Sequence, residues 1–341
     1  MVAVVWALSS AFLHAGAGPL WAREAGLMVA PCRRTWWLAA LMLGNYVRAE
    51  EMCYLPSWSV QCEFHFFLLG CCIVWVYRRS RAGGLAVFAA AAAAALATPA
   101  IVTDVNGFPP VMLPFGFERV KDLFHDEYFL QRYIPTHYRL SPYLVGMAGG
   151  YLVGRGEGGR IKQRYALLAC LSSGLLVLSL LYGGASLYSV QVPRAAAALY
   201  AALNRPMWAL AVCALIGSCV RGTVPLVSQC LGWRGFRPLS RLAYGLYLTH
   251  CGVFFHVYMT ATGPSRVGVV ETVVTYLGAL CLSLVLAAAL WLLVEAPANN
   301  LCAIALSTRR ADNNERLGQL IKNNVVPKSP DRWLLTSALW F

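Results

Sequence analysis

The chain has 341 residues, of which 59% are hydrophobic and only 13% charged, and its mean hydropathy is +0.57. Soluble globules carry about 25% charged residues, which excludes that class. A net charge of +13 would suggest nucleic acid on a soluble chain, but here the basic residues sit between apolar runs, where they set membrane orientation, so no nucleic-acid partner is read from them.

In chain order, the apolar runs predict an all-α, polytopic transmembrane helix bundle of about eight spans, at residues 1–15, 64–77, 85–102, 142–153, 165–181, 206–220, 239–257 and 269–294. Several are shorter than the roughly 20 residues that cross about 30 Å of hydrocarbon, so flanking residues must extend them or the bilayer must thin. Met1 opens directly on an apolar stretch with no basic leader before it, from which an incomplete N-terminus is expected.

Basic clusters follow alternate segments: Arg78, Arg79 and Arg81; Arg155, Arg160, Lys162 and Arg164; Arg221, Arg234, Arg237 and Arg241; and the tail from Thr308. If each segment crosses once, all four places share one side, the cytoplasmic one. The connections 16–55, 104–141, 183–205 and 259–268 then face the lumen or the exterior. Residues 1–306 form the transmembrane domain and 307–341 a cytoplasmic tail, in the plasma membrane or an endomembrane.

Of twelve cysteines, Cys32 and Cys53 alone lie in a connection on the oxidising side, which predicts a disulfide, with two free thiols as the alternative. The others sit largely in apolar runs as small hydrophobes. No metal site is expected, because no cysteine pair has zinc-ligand spacing, and nucleotide-loop and nucleophile-elbow motifs are absent.

The segment SRLAYGLYLTH, from Ser240 to His250, places polar groups in an apolar run. An ionisable group in hydrocarbon costs at least about 2.5 kcal/mol and usually faces a bundle interior or wet cavity, so this segment points to a functional site. Tyr244, Tyr247 and His250 recur every three residues and fall within about 120° of one helix face. His250 is a candidate general base or an interhelical hydrogen-bonding group; the tyrosines are candidate cavity or belt residues. Arg241 suits either a CoA phosphate or a positive-inside anchor. Glu295 is a candidate partner for Arg241 or Arg237, or a helix terminus before a Pro297 stop.

Glu63 and His65 lie about 200° apart on a helix, whereas Gln61 and His65 share a face. Glu63 is read as a contact to an acceptor or to Arg139, or as an interfacial carboxylate. Arg139 could clamp a carboxylate, stabilise an oxyanion, or snorkel to headgroups.

Several stretches occur together in an order that resembles the acyltransferase 3 family, in its animal nose resistant to fluoxetine branch. They are GAGPLW at Gly16, then Cys32, Trp36, Trp37 and Asn45, then Met52 with Cys53, SWSVQCEFHFF at Ser57, YIPTHYRLSPYLVGMAGGYLVG at Tyr133, RPMWAL at Arg205, PLSRLAYGLYLTH at Pro238, and EAP at Glu295. The resemblance implies a multi-span protein that moves an acyl group, usually from acyl-CoA, to a lipid, carbohydrate or other acceptor; the missing motifs give no bound cofactor, with acyl-CoA as donor substrate. The family's first-span histidine and the RxxR pattern are absent here, so the 341 residues alone are expected to be inactive. Glu63 and His65 stand where the family usually has Asp and Gln. The rival reading is a lipid or small-molecule carrier with the same fold.

Overall fold

The computed structural model describes residues 16, 21–111, 128–154, 161–187, 192–221, 224–260, 268–305 and 307. Among them there are helices and no strands. The main helices are α1 (Trp21–Ala40), α2 (Ser57–Arg79), α3 (Arg81–Asn106), α4 (Leu140–Gly154), α5 (Gln163–Ser186), α6 (Arg194–Arg221), α7 (Pro225–Leu231), α8 (Phe236–Met259) and α9 (Val269–Leu290).

Seven of the eight predicted segments fall on α2, α3, α4, α5, α6, α8 and α9, while residues 1–15 and the tail from 308 lie outside the described residues. Among the described residues five helices are long and apolar enough to cross a membrane: α2, α3, α5, α6, and α9 with its continuation to Ala305. The 15-residue α4 rises about 22 Å, short of a full crossing, and α8 is long enough at 24 residues but carries the polar strip. The outer faces are apolar. On α5, Leu168, Leu171, Leu175 and Leu178 are each at least 60% exposed, a stripe that a water-soluble fold would bury and that hydrocarbon covers here.

Small residues let the helices approach. A Cβ on Gly70 of α2 would fall on the Tyr143 hydroxyl of α4, and one on Gly245 of α8 would lie 3.1 Å from the Ala287 carbonyl oxygen of α9. Helix α6 is the hub, packed against α3, α4 and α5, while α8 and α9 form a hairpin that touches the remainder more thinly. Across that hairpin the Thr249 hydroxyl donates to the Ser283 carbonyl at 3.1 Å.

The helix ends sort into two sets. At one end the Arg221 side chain donates to the carbonyls of Leu152 and Val153, Ile161 N–H donates to Arg221, and Tyr77 meets Tyr151 at 2.8 Å. At the other, Cys32 and Cys53 are joined as a disulfide, and Met52 packs with Phe129 and Ile134. Of the basic clusters, the first set holds Arg78, Arg79, Arg81, Lys162, Arg164 and Arg221, and the second set holds the disulfide.

Three expectations are corrected. Residues 21–40, read as part of a connection, form α1. Arg205, also assigned to a connection, lies inside α6, because the helix begins at Arg194 and runs through Asn204, Arg205 and the buried Pro206. The last span does not end at Glu295: a π-helical turn at Trp291–Glu295 shifts the backbone register, and the helix continues through Pro297 to Ala305.

Candidate active site

The disulfide end is organised by the start of α2 and the segment 128–139. Asn45, 2% exposed, is the organiser: its side-chain amide donates to the Trp58 carbonyl at 2.8 Å and meets Cys62 Sγ at 3.3 Å and Thr136 Oγ1 at 3.4 Å. Its backbone N–H donates to Gln61 Oε1 at 3.0 Å. His65 Nδ1 lies 3.0 Å from Thr136 Oγ1, so Gln61 and His65 do share one working face of α2, and Glu63 is exposed on another. His137, just before α4, meets the Tyr46 hydroxyl at 3.3 Å, and burial pulls its imidazole below the ordinary histidine range.

Arg139 is held between two rings, its guanidinium 4.6 Å from the Trp58 centroid and 4.4 Å from that of Tyr133. Its Nε donates to the Tyr133 carbonyl at 3.4 Å, which leaves its terminal N–H groups unspent among the described residues. Arg139 and Glu63 form no ion pair. Glu63 lies instead within electrostatic reach of Tyr244, as does Glu295.

The α8 hairpin meets this end through Tyr247, which lies near Ser59, Tyr133, Arg139 and Cys251. Tyr54 donates to the Leu248 carbonyl, and burial pushes its hydroxyl above the ordinary phenol range. At the seam between bundle and hairpin, Tyr54, Ser59, Tyr133 and Arg139 thus neighbour Tyr247, with Cys251 beside Tyr54, while His250 meets residues of its own helix.

His250 Nδ1 sits 3.2 Å from the Leu246 carbonyl, and Nε2 lies 3.3 Å from Cys251 Sγ; the ring lies 5.6 Å from that of Tyr247. A carbonyl only accepts, so Nδ1 carries the proton and the Nε2 lone pair accepts from the Cys251 thiol. Arg241 is exposed at the basic end of α8, and neither it nor Arg237 pairs with Glu295, whose Oε2 is buried without a hydrogen-bond partner. Among the described residues no cluster of metal-ligating side chains occurs.

Tyr54, Ser59, Cys251 and Arg205 were not singled out from the sequence. Arg205 lay within the quoted RPMWAL string, whose position was the available signal. The family model described as an acyltransferase domain, of the acyltransferase 3 type, matches residues 1–292. The chain belongs to the acyltransferase 3 family. It is 24% identical over 254 residues to nose resistant to fluoxetine protein 6 of Caenorhabditis elegans, covering 70% of this chain and 30% of that protein. The chain therefore spans about a third of the length of that relative. No solved structure matches. Family and helices together make this a multi-pass integral membrane protein.

Proposed function

We propose that the cleft between the α8–α9 hairpin and the α6-centred bundle transfers an acyl group from acyl-CoA to a hydroxyl-bearing acceptor. Membership of the family over residues 1–292 carries this reading, and the side chains of the cleft fit its chemistry. His250 Nε2 takes the proton of the acceptor hydroxyl, whose oxygen adds to the thioester carbonyl; the C–S bond then breaks, and the CoA thiolate leaves and takes up that proton. Arg139, pinned between Trp58 and Tyr133, holds the acceptor through its unspent N–H groups. Tyr247 supplies a hydrogen bond beside the reacting carbon. Glu63 and Tyr244 line the route from the basic end of α8, where Arg241 meets the CoA phosphates.

The disulfide is compatible with the lumen or exterior at its end, and the basic set with cytoplasm at the other. The donor thus enters along α8 from the Arg241 end and the acceptor from the disulfide end. Nothing in the cleft favours a carrier over an enzyme. The test is membranes from cells expressing the protein from its own gene, given radiolabelled acyl-CoA. Label is expected to move to a membrane or secreted acceptor above the level in membranes lacking the protein, and label transfer equal to that background would overturn the reading.

A further inference from the structure

We propose that Arg132, Arg139 and Arg205 form an anion site at the disulfide end that takes a phosphate group, making the acceptor a phosphate-bearing molecule. The acceptor role rests on the acyl-transfer reading; the binding itself does not.

Three arginines meet around one turn there, from two distant parts of the chain. Arg132 and Arg139 flank the turn Tyr133–Tyr138, and Arg205 reaches from α6 to donate to the Tyr138 carbonyl at 2.6 Å. Arg205 is within electrostatic reach of both others. None is neutralised by what holds it. Arg132, only 5% exposed, donates to the carbonyls of Pro109 at 2.6 Å and Pro110 at 3.4 Å and lies 4.9 Å from the Tyr128 ring centroid. Arg139 has its two rings and one carbonyl. Among the described residues no carboxylate pairs with any of the three; the ion pairs that do form join Arg34 and Arg48 to Glu51.

Like charges gathered in a buried site repel one another and have lost water, so such a cluster is expected to be compensated by an anion. Rings and carbonyls fix the guanidinium planes in advance while leaving the Arg139 fork unspent and further N–H groups on Arg205 and Arg132, and such N–H groups bind oxyanions. A carboxylate brings one charge for three cations. A phosphate monoester brings up to two charges and three terminal oxygens, one for each guanidinium, and fits the site better. That phosphate is either a lipid headgroup arriving from the bilayer or a water-soluble phosphate arriving from the disulfide side.

The test is thermal unfolding of the purified protein in dodecyl maltoside, which contributes no phosphate of its own. One arm titrates sodium phosphate against sodium chloride at matched ionic strength; the other titrates phosphatidic acid against diacylglycerol. Saturable stabilisation by the first probe alone identifies a soluble source, and by the second alone a headgroup; either supports the site. Arg139→Gln and Arg205→Gln should each weaken that binding at least about tenfold, while Arg78→Gln, exposed at the opposite end, should leave it unchanged. Should Arg205→Gln fail to fold, Arg139→Gln carries the test, since its half-buried side chain is tied by a single backbone bond. No stabilisation by either probe over its control, or wild-type binding in Arg139→Gln, would overturn the proposal. Failure of acyl transfer with binding intact would remove the enzyme reading and leave the anion site.

Discussion

The disulfide end of the bundle and the α8–α9 hairpin satisfy their polar groups in opposite ways. At the disulfide end, Asn45 joins residues 91 positions apart in sequence through Thr136, and Arg205 joins α6 to Tyr138 across 67 positions. On the hairpin, His250 bonds Leu246 one turn back and its own neighbour Cys251, Ser283 bonds Ala279, and close approach rests on Gly245. Several long-range polar contacts knit the first region together, whereas the hairpin's polar groups bond mostly within it, and its tie to the bundle includes the bond from Tyr54 to the Leu248 carbonyl. The candidate site lies on that seam, between a region knitted by long-range bonds and one held largely by its own.

The contrast can be broken most severely at the disulfide. Replacing Cys32 and Cys53 together by alanine should cost about 3 kcal/mol, from release of the loop that the bond closes. Unfolding followed by tryptophan fluorescence should show the loss, with a matching loss on adding reductant to the wild type. An unchanged transition would mean that the disulfide end owes its order to something else.

Asn45→Ala should follow, at about 2 kcal/mol, because it removes the buried amide's bonds to Trp58 O and Thr136 Oγ1. Amide hydrogen exchange should rise at the start of α2 and around Thr136 while the hairpin stays protected. Faster exchange confined to α8 would reverse the assignment of which region those long-range bonds knit.

The smallest effect concerns pH. Because burial lowers the His137 pKa below its ordinary 6.5, the folded chain resists a proton that the unfolded chain accepts. Its stabilising contribution is therefore complete above about pH 6.5 and declines as pH falls below it. The unfolding midpoint of the wild type should drop more between pH 7 and 5.5 than that of His137→Gln, by about a degree. Parallel pH profiles would show that His137 takes the proton equally in both states.

Much of the scaffold was legible in the sequence because span length and apolar runs report directly on hydrocarbon thickness. Helix α6 was cut short because Asn204 and Arg205 interrupt its apolar run; the arginine is accommodated by a carbonyl supplied from another element, which no local pattern reveals. Pro297 read as a stop because proline usually is one, and the π-turn that admits it leaves no mark in hydropathy. Residues 21–40 read as a connection for a similar reason, since α1 carries Arg33 and Arg34 on exposed positions and a proline at its centre. In the cleft, Arg139 and Tyr247 were candidates from their strings, and the face shared by Gln61 and His65 followed from helical geometry. Tyr54, Ser59 and Cys251 were not, because their importance arises where the hairpin meets the bundle.

The most direct test of the central claim, that an acyl group moves in the cleft on that seam, is acyl-CoA consumption per folded molecule for wild type and His250→Ala, each expressed from the protein's own gene. If Nε2 is the base, turnover should fall about 100-fold while the folded level in the membrane stays the same. If the histidine only ties helices together, stability should fall slightly, by about 0.6 kcal/mol. Wild-type turnover in His250→Ala would contradict the account.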